Sequence, residues 1–167
     1  MTSSPAGLEL RAYVLARDEP WATALLDDRL SGRLQARRGE IVDVLDGEAL
    51  VAELDGPPVG LLTFRPDGPT AIELAALVVV EPGRGIGSAL IEAFLREARR
   101  RAARRVWVVT TNDNLDALRL YQRRGFRLVS LRPGAVDEAR ATIKPSIGQV
   151  ADNGIPIRDE LELAIDL

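Results

Sequence analysis

Among its 167 residues the chain has no cysteine, no histidine and a single lysine, Lys144. Without cysteine there is no disulfide, no thiol nucleophile and no thiolate-ligated zinc; without histidine the imidazole bases and most catalytic zinc sites are excluded, so no metal is expected. Proton transfer is left to Asp, Glu, Tyr, Lys144, the chain termini and water. Aromatic residues make up only 4%. No run approaches 18 consecutive apolar residues, so no membrane span is expected. Residues 1–7 hold no basic segment followed by an apolar one, so no secretory leader is expected there and a cytoplasmic protein is expected.

Hydrophobic residues account for 46% of the chain and charged residues for 28%, with a formal net charge of -3. A chain of this length buries roughly 70% of its unfolded surface, so residues 1–167 are expected to form one domain needing no metal or disulfide staple. The charge balance gives no basic footprint for nucleic acid. The cluster Arg96, Arg99, Arg100, Arg101, Arg104 and Arg105 reads as a solvated helix face, with Glu92–Arg96 and Glu97–Arg101 as i,i+4 pairs and no interleaved aromatics.

Periodicity divides the chain into strands and helices. Residues 8–16 read as a strand, and the acidic Asp18 and Glu19 before Pro20 predict a helix over 20–34 carrying Trp21, Leu25, Leu26 and Leu30. Residues 48–54 and 59–64 are strand-like around the turn Asp55-Gly56-Pro57-Pro58, and a second turn at 65–69 returns the chain into 71–80. This third strand is apolar almost throughout, as a central strand covered on both faces must be. A helix with Ile86, Leu90, Phe94 and Ala98 on one stripe follows, then a strand over 106–110 and a helix over 112–124 ending at Gly125, with Phe126 placed for an apolar contact. Strands over 127–131 and 160–165 complete the set, and 133–159 reads as a long irregular stretch.

Gly83-Arg84-Gly85-Ile86-Gly87 joins the buried strand to a helix. Small residues there let backbone amides converge where the helix dipole adds positive character, which is the makeup of a phosphate cradle. Three glycines also suit a merely tight turn. A Walker A loop needs Gly-Lys-Ser/Thr and none occurs; a dinucleotide fingerprint needs Gly or Ala at a position held here by Ser88 or Leu90.

The order strand, glycine turn, helix, strand, then Asn114-x-x-Ala117-x-x-x-Tyr121-x-x-x-Gly125-Phe126, resembles the acetyl-CoA-binding half of the GNAT superfamily of N-acetyltransferases. The resemblance covers about residues 72–131. Pro82 departs from it, standing where that family usually has Gln or Arg, so the turn is shortened and leaves Arg84, Gly85, Ile86, Gly87 and Ser88 as the cradle. The resemblance implies an α/β (α+β) fold: a mixed, mostly antiparallel sheet of six or seven strands flanked by helices, with two central parallel strands splayed apart. It implies acetyl-CoA as cosubstrate, with pantetheine pairing to the backbone near Leu77, Val78 and Val79 and one amide, of Leu77 or Val78, facing the thioester oxygen.

The activity implied is transfer of an acetyl group to a primary amine of a small molecule by direct attack in a ternary complex. The lack of cysteine independently argues against a thiol acyl-enzyme. A non-catalytic acyl-CoA-binding module and a nucleotide-phosphate binder stand as alternatives. Freeing the lone pair of an amine with pKa near 10.4 at pH 7 costs about 4.6 kcal/mol, so a base is required. Glu73, a carboxylate on an otherwise apolar strand, is the candidate, with Asp113 and Asp116 as alternatives; Glu73 is equally readable as a solvated strand-end residue, and the two aspartates as helix-start acids. Tyr121 matches the family tyrosine that protonates the departing thiolate, or else is a packed aromatic. Asn114 matches the residue contacting pantetheine, or else is a helix cap. Acidic residues in 133–160 suit steering of a cationic amine, and the stretch is expected to form a lid. The resemblance also admits a homodimer through the terminal strand.

Overall fold

The computed structural model describes residues 5–167; residues 1–4, which carry part of the reading of the N-terminal stretch, lie outside the described residues. In chain order the described elements are β1 (Leu8–Ala12), α1 (Leu15–Leu30), β2 (Leu34–Arg37), β3 (Glu40–Asp43), β4 (Glu48–Leu54), β5 (Pro58–Asp67), β6 (Ala71–Val79), α2 (Ile86–Arg100), β7 (Arg105–Thr111), α3 (Leu115–Arg123), β8 (Arg127–Arg132), α4 (Ala135–Thr142) and β9 (Glu160–Asp166). Seven strands form one sheet in the order β1-β4-β5-β6-β7-β9-β8. All neighbours are antiparallel except β6 and β7, so the sheet is mixed in the way the sequence leads one to expect.

The meander β4–β5–β6 follows from its turns, and α2 is the crossover that lets β7 run parallel to β6. The stripe Ile86, Leu90, Phe94 and Ala98 is buried against Leu62, Phe64, Ile72, Leu74, Val106 and Val108. At roughly 1.5–3 kcal/mol for each large side chain removed from water, this contact is the main anchor of α2. Gly60 in β5 makes it close: a Cβ there would stand 2.9 Å from Ile86 Cγ2 and 3.0 Å from Leu90 Cδ1. On the opposite face Ala22, Leu25 and Leu26 of α1 cover Val51, Leu61, Ala76 and Val78.

The structure departs from expectation at three places along the chain. The first helix starts at Leu15, not Pro20, and β1 ends at Ala12. Asp18 starts it by accepting the Val14 amide at 2.7 Å, and Pro20, inside the helix, costs only the bond to the carbonyl of Ala16, which is solvent-exposed. Residues 34–43 form an unexpected hairpin, β2–β3, through Arg38 (φ 52°) and Gly39 (φ 80°), the left-handed pair of a tight two-residue turn. The stretch 133–159 contains the short helix α4 after Gly134, whose φ is 71°.

Candidate active site

β6 and β7 pair over three residues only: Ala71 with Arg105, Ile72 with Val106 and Glu73 with Trp107. Beyond Glu73 the strands part, while β6 stays paired to β5 as far as Val79 and β7 to β9 as far as Thr111. A wedge therefore opens in mid-sheet with one unpaired backbone edge on β6. The Val80 amide donates to the Val59 carbonyl at 2.8 Å, and strand alternation turns the Val78 and Ala76 amides toward β5 as well. The Leu77 and Val79 amides face the wedge. Of the two amides expected to face a thioester oxygen, Leu77 is thus oriented toward the open side and Val78 toward β5; the Val78 side chain is buried under α1.

The glycine turn lies at the end of the same strand. Gly83 (φ 85°) and Gly85 (φ 79°) adopt left-handed conformations, and Gly85 stands at the N-cap of α2. The first intrahelical bond is Ala89 N to Gly85 O, 3.0 Å, so the amides of Ile86, Gly87 and Ser88 have no acceptor within the helix. The first turn of α2 contains no acidic residue to compete for them. Arg84 is exposed and pairs with Glu81 at 3.0 Å. At Gly87 a Cβ would meet Leu120 Cδ2 at 3.3 Å, Leu77 Cδ2 at 3.8 Å and Val79 Cγ1 at 3.9 Å. Gly87 therefore sits where β6, α2 and α3 converge, at the mouth of the wedge.

Glu73 is the last paired residue before the wedge and is 1% exposed, which removes the reading of it as a solvated strand end. Arg37 Nε lies 2.5 Å from its Oε1, and Arg65 Nε donates to its Oε2 at 2.5 Å. Arg37 also donates from Nη1 to the Ala75 carbonyl at 2.9 Å. Its neighbour Arg38 stacks over Trp107, 3.6 Å from the ring centroid, and donates to Glu162. Burial pulls the Arg37 guanidinium down from its ordinary value, with Glu73 acting against that shift. The sequence reading missed Arg37 and Arg65 because nothing in their spacing marks them as partners of Glu73, and Arg38 because nothing marks it as a partner of Trp107 and Glu162.

Tyr121 is buried beside Phe126, ring centroids 5.6 Å apart, and burial pushes its phenol well above the ordinary tyrosine range. Asn114 is the N-cap of α3, its Oδ1 accepting the Ala117 amide at 3.2 Å. Asn112 was not anticipated: it accepts the Arg158 and Asp159 amides, both at 2.9 Å, and donates to the Pro156 carbonyl, fastening residues 156–159 to the end of β7. Several acids counted toward steering are engaged locally. Asp137 pairs with Arg140 at 2.7 Å, Asp159 accepts the Gly134 amide at 2.8 Å, and Glu160 is paired with Arg132 and accepts the Arg38 amide.

The wedge and the turn fit a CoA-type ligand on three counts: an unpaired strand edge for an amide-bearing arm, free helix amides for a diphosphate, and a glycine that leaves space between them. A family model described as the acetyltransferase (GNAT) family matches residues 9–126. The uncharacterized protein YdhI of Bacillus subtilis (strain 168) is 40% identical over 119 residues, covering 71% of this chain and 72% of that protein. Among solved structures, the IAA acetyltransferase from Bacillus cereus ATCC 14579 superposes with a TM-score of 0.75 at 23% identity, covering 96% of this chain and 99% of that one. A GNAT family acetyltransferase from Elizabethkingia anophelis with acetyl-CoA bound gives 0.74 at 19% identity, covering 98% and 100%.

Proposed function

The chain belongs to the GNAT acetyltransferase family and is an acyltransferase, and from that premise we propose that it acetylates the primary amine of a small molecule by direct attack in a ternary complex. The observation that carries the reading is the parting of β6 and β7 after Glu73 beside an uncapped, glycine-rich helix N-terminus. When bound, acetyl-CoA supplies an acyl group already activated as a thioester. The amides of Arg84, Gly85, Ile86, Gly87 and Ser88 would hold its diphosphate, the backbone of Leu77 and Val79 its pantetheine arm, and Asn114 would frame the arm from the start of α3. Val78 would contribute by packing under α1 rather than by its amide, which is turned toward β5.

The Leu77 amide would donate to the negative charge developing on the carbonyl oxygen, and one such fixed donor contributes about 3 kcal/mol. Glu73 takes the amine's proton through water at Oε2 once Arg65, the more exposed of its partners, swings away. Tyr121 stays protonated because burial disfavours its phenolate, so it would donate a hydrogen bond to the departing sulfur, which takes its proton from solvent. With no cysteine available to carry an acyl group, attack by the amine is direct. Residues 1–167 act as one catalytic unit without a metal, cytoplasmic in location; a homodimer would have to form elsewhere than by pairing of the terminal strand β9, which is already paired on both edges with β7 and β8.

Because the chain has no thiol, a thiol reagent reads CoA release without background from the protein. A panel of primary amines with acetyl-CoA is expected to give amine-dependent release for at least one member. Thermal stabilisation by acetyl-CoA with no release across the panel would instead identify a binding module, and stabilisation by ATP but not CoA a nucleotide binder.

A further inference from the structure

β6 and β7 are adjacent, parallel and in register as far as Glu73 and Trp107, and continuing that register would bring Ala75 opposite Val109. The ladder stops instead. Ala75 is the extra residue of a bulge, since Thr63 pairs with Ala76 but Phe64 with Leu74. The Ala76 amide faces β5, so the carbonyl of the same peptide unit, that of Ala75, points to the open side. There it accepts from Arg37 Nη1 at 2.9 Å, and the same guanidinium is ion-paired with Glu73 Oε1. A single cation, 7% exposed, thus bridges the last paired residue of β6 and the carbonyl beyond it.

We propose that Arg37 is a positioning residue for acetyl transfer: it occupies the Ala75 carbonyl and thereby holds β6 away from β7, keeping open the slot for the pantetheine arm. The inference rests on the reading of that slot as the cofactor site. A guanidinium fork satisfies two acceptors in different directions, a carboxylate and a carbonyl, which a lysine ammonium on a thinner stem does not reproduce. The hairpin turn is anchored on the other side of the wedge too, through Arg38 on Trp107 of β7 and on Glu162 of β9. Its Arg38 amide is fixed in addition by Glu160. The turn therefore spans both strands of the wedge, with its sheet-facing residues set by the sites they grip.

The test compares Arg37→Lys with Glu73→Gln in the full chain, reading the affinity for CoA and for ADP, which carries a diphosphate but no pantetheine, together with kcat and the KM for acetyl-CoA. Arg37→Lys is expected to weaken CoA binding and raise the acetyl-CoA KM about ten-fold, the loss associated with one charge-assisted hydrogen bond, while ADP binding stays within about two-fold. Glu73→Gln leaves Arg37 on the Ala75 carbonyl, so its CoA affinity should stay within about two-fold even as kcat falls. Should Arg37→Lys fold poorly, Arg37→Gln, which keeps a donor for the carbonyl, is expected to bind CoA more tightly than Arg37→Met. The proposal is overturned by wild-type CoA affinity in Arg37→Lys, by parallel loss of CoA and ADP, by an equal CoA loss in Glu73→Gln, or by equal affinities in the Gln and Met variants. A wild-type protein that fails to bind CoA would be a different result, refuting the cofactor site itself.

Discussion

Replacing Gly87 separates folding from cofactor binding. Its φ is not in the left-handed region, so alanine or valine can adopt the backbone conformation found there. The added Cβ would stand 3.3 Å from Leu120 Cδ2, the flexible end of a side chain on α3, which needs to give by only a few tenths of an ångström. Against that small cost, a helix gains up to about 1 kcal/mol when glycine becomes alanine, less in the first turn. Gly87→Ala should therefore change unfolding free energy by under about 1 kcal/mol, a shift of a few degrees in Tm at most for a domain of this size. The same methyl stands among Leu77, Val79 and Leu120, at the mouth of the slot. Overfilling a fitted space costs roughly 1–3 kcal/mol, so CoA affinity should fall about 5- to 150-fold, more for Gly87→Val than for Gly87→Ala. Calorimetric titration with CoA beside a thermal melt reads both quantities on one preparation. If both variants bind CoA as tightly as the unsubstituted protein, the slot does not pass Gly87 and the reasoning fails.

Other perturbations reach different links of the chain. Tyr121→Phe should lower kcat at least about ten-fold with little change in the acetyl-CoA KM, and an unaltered kcat would reduce Tyr121 to packing. Because burial raises the Tyr121 phenol, the unfolded state ionises first as pH climbs, and stability should decline above about pH 10 by up to roughly 1.4 kcal/mol per unit from this tyrosine. Tyr121→Phe should shallow that decline, and an equal slope would contradict the burial argument. Asp18, 3% exposed, is held below the usual carboxylate range first by its hydrogen bonds from Arg11 and also by the Val14 amide, with burial opposing. Its stabilisation is complete above the ordinary value of about 4 and lost as pH falls through the lowered one, so Asp18→Asn should cost about 1–3 kcal/mol at pH 7 and flatten the acid limb of stability. Glu73→Gln leaves Arg37 buried without its carboxylate, so unfolding free energy should drop by about 3–5 kcal/mol as turnover falls; a melt and a kcat both unchanged would show the ion pairs to be idle.

What the sequence discloses and what it hides follow from where polarity and periodicity agree. The meander is legible because Asp55-Gly56 and Asp67-Gly68 punctuate apolar runs, and α2 because its stripe at 86, 90, 94 and 98 is wholly apolar. The end of α3 is legible as well: Gly125 is left-handed and the Phe126 amide returns to the Tyr121 carbonyl at 3.1 Å. β2–β3 is hidden because its buried face mixes Gln35 and Arg37 with Val42 while Leu34 and Ile41 are exposed, which blurs the usual alternation. The mixture arises because that face reaches Glu73 through Arg37 and the end of α1 through Gln35 as well as packing Val42. The start of α1 is hidden by Pro20, which imitates a first-turn proline five residues too late. Glu73 stands out in the sequence as a lone acid, but its arginines come from positions 37 and 65, and only the folded hairpin brings them together.

The most direct test is a crystal structure of the protein with CoA. The expected result has the pantetheine arm lying between the edge of β6 at Leu77 and Val79 and the facing strand β7, with the diphosphate on the amides of residues 84–88. Strands β6 and β7 paired along their full length, with the diphosphate bound elsewhere, would contradict the account.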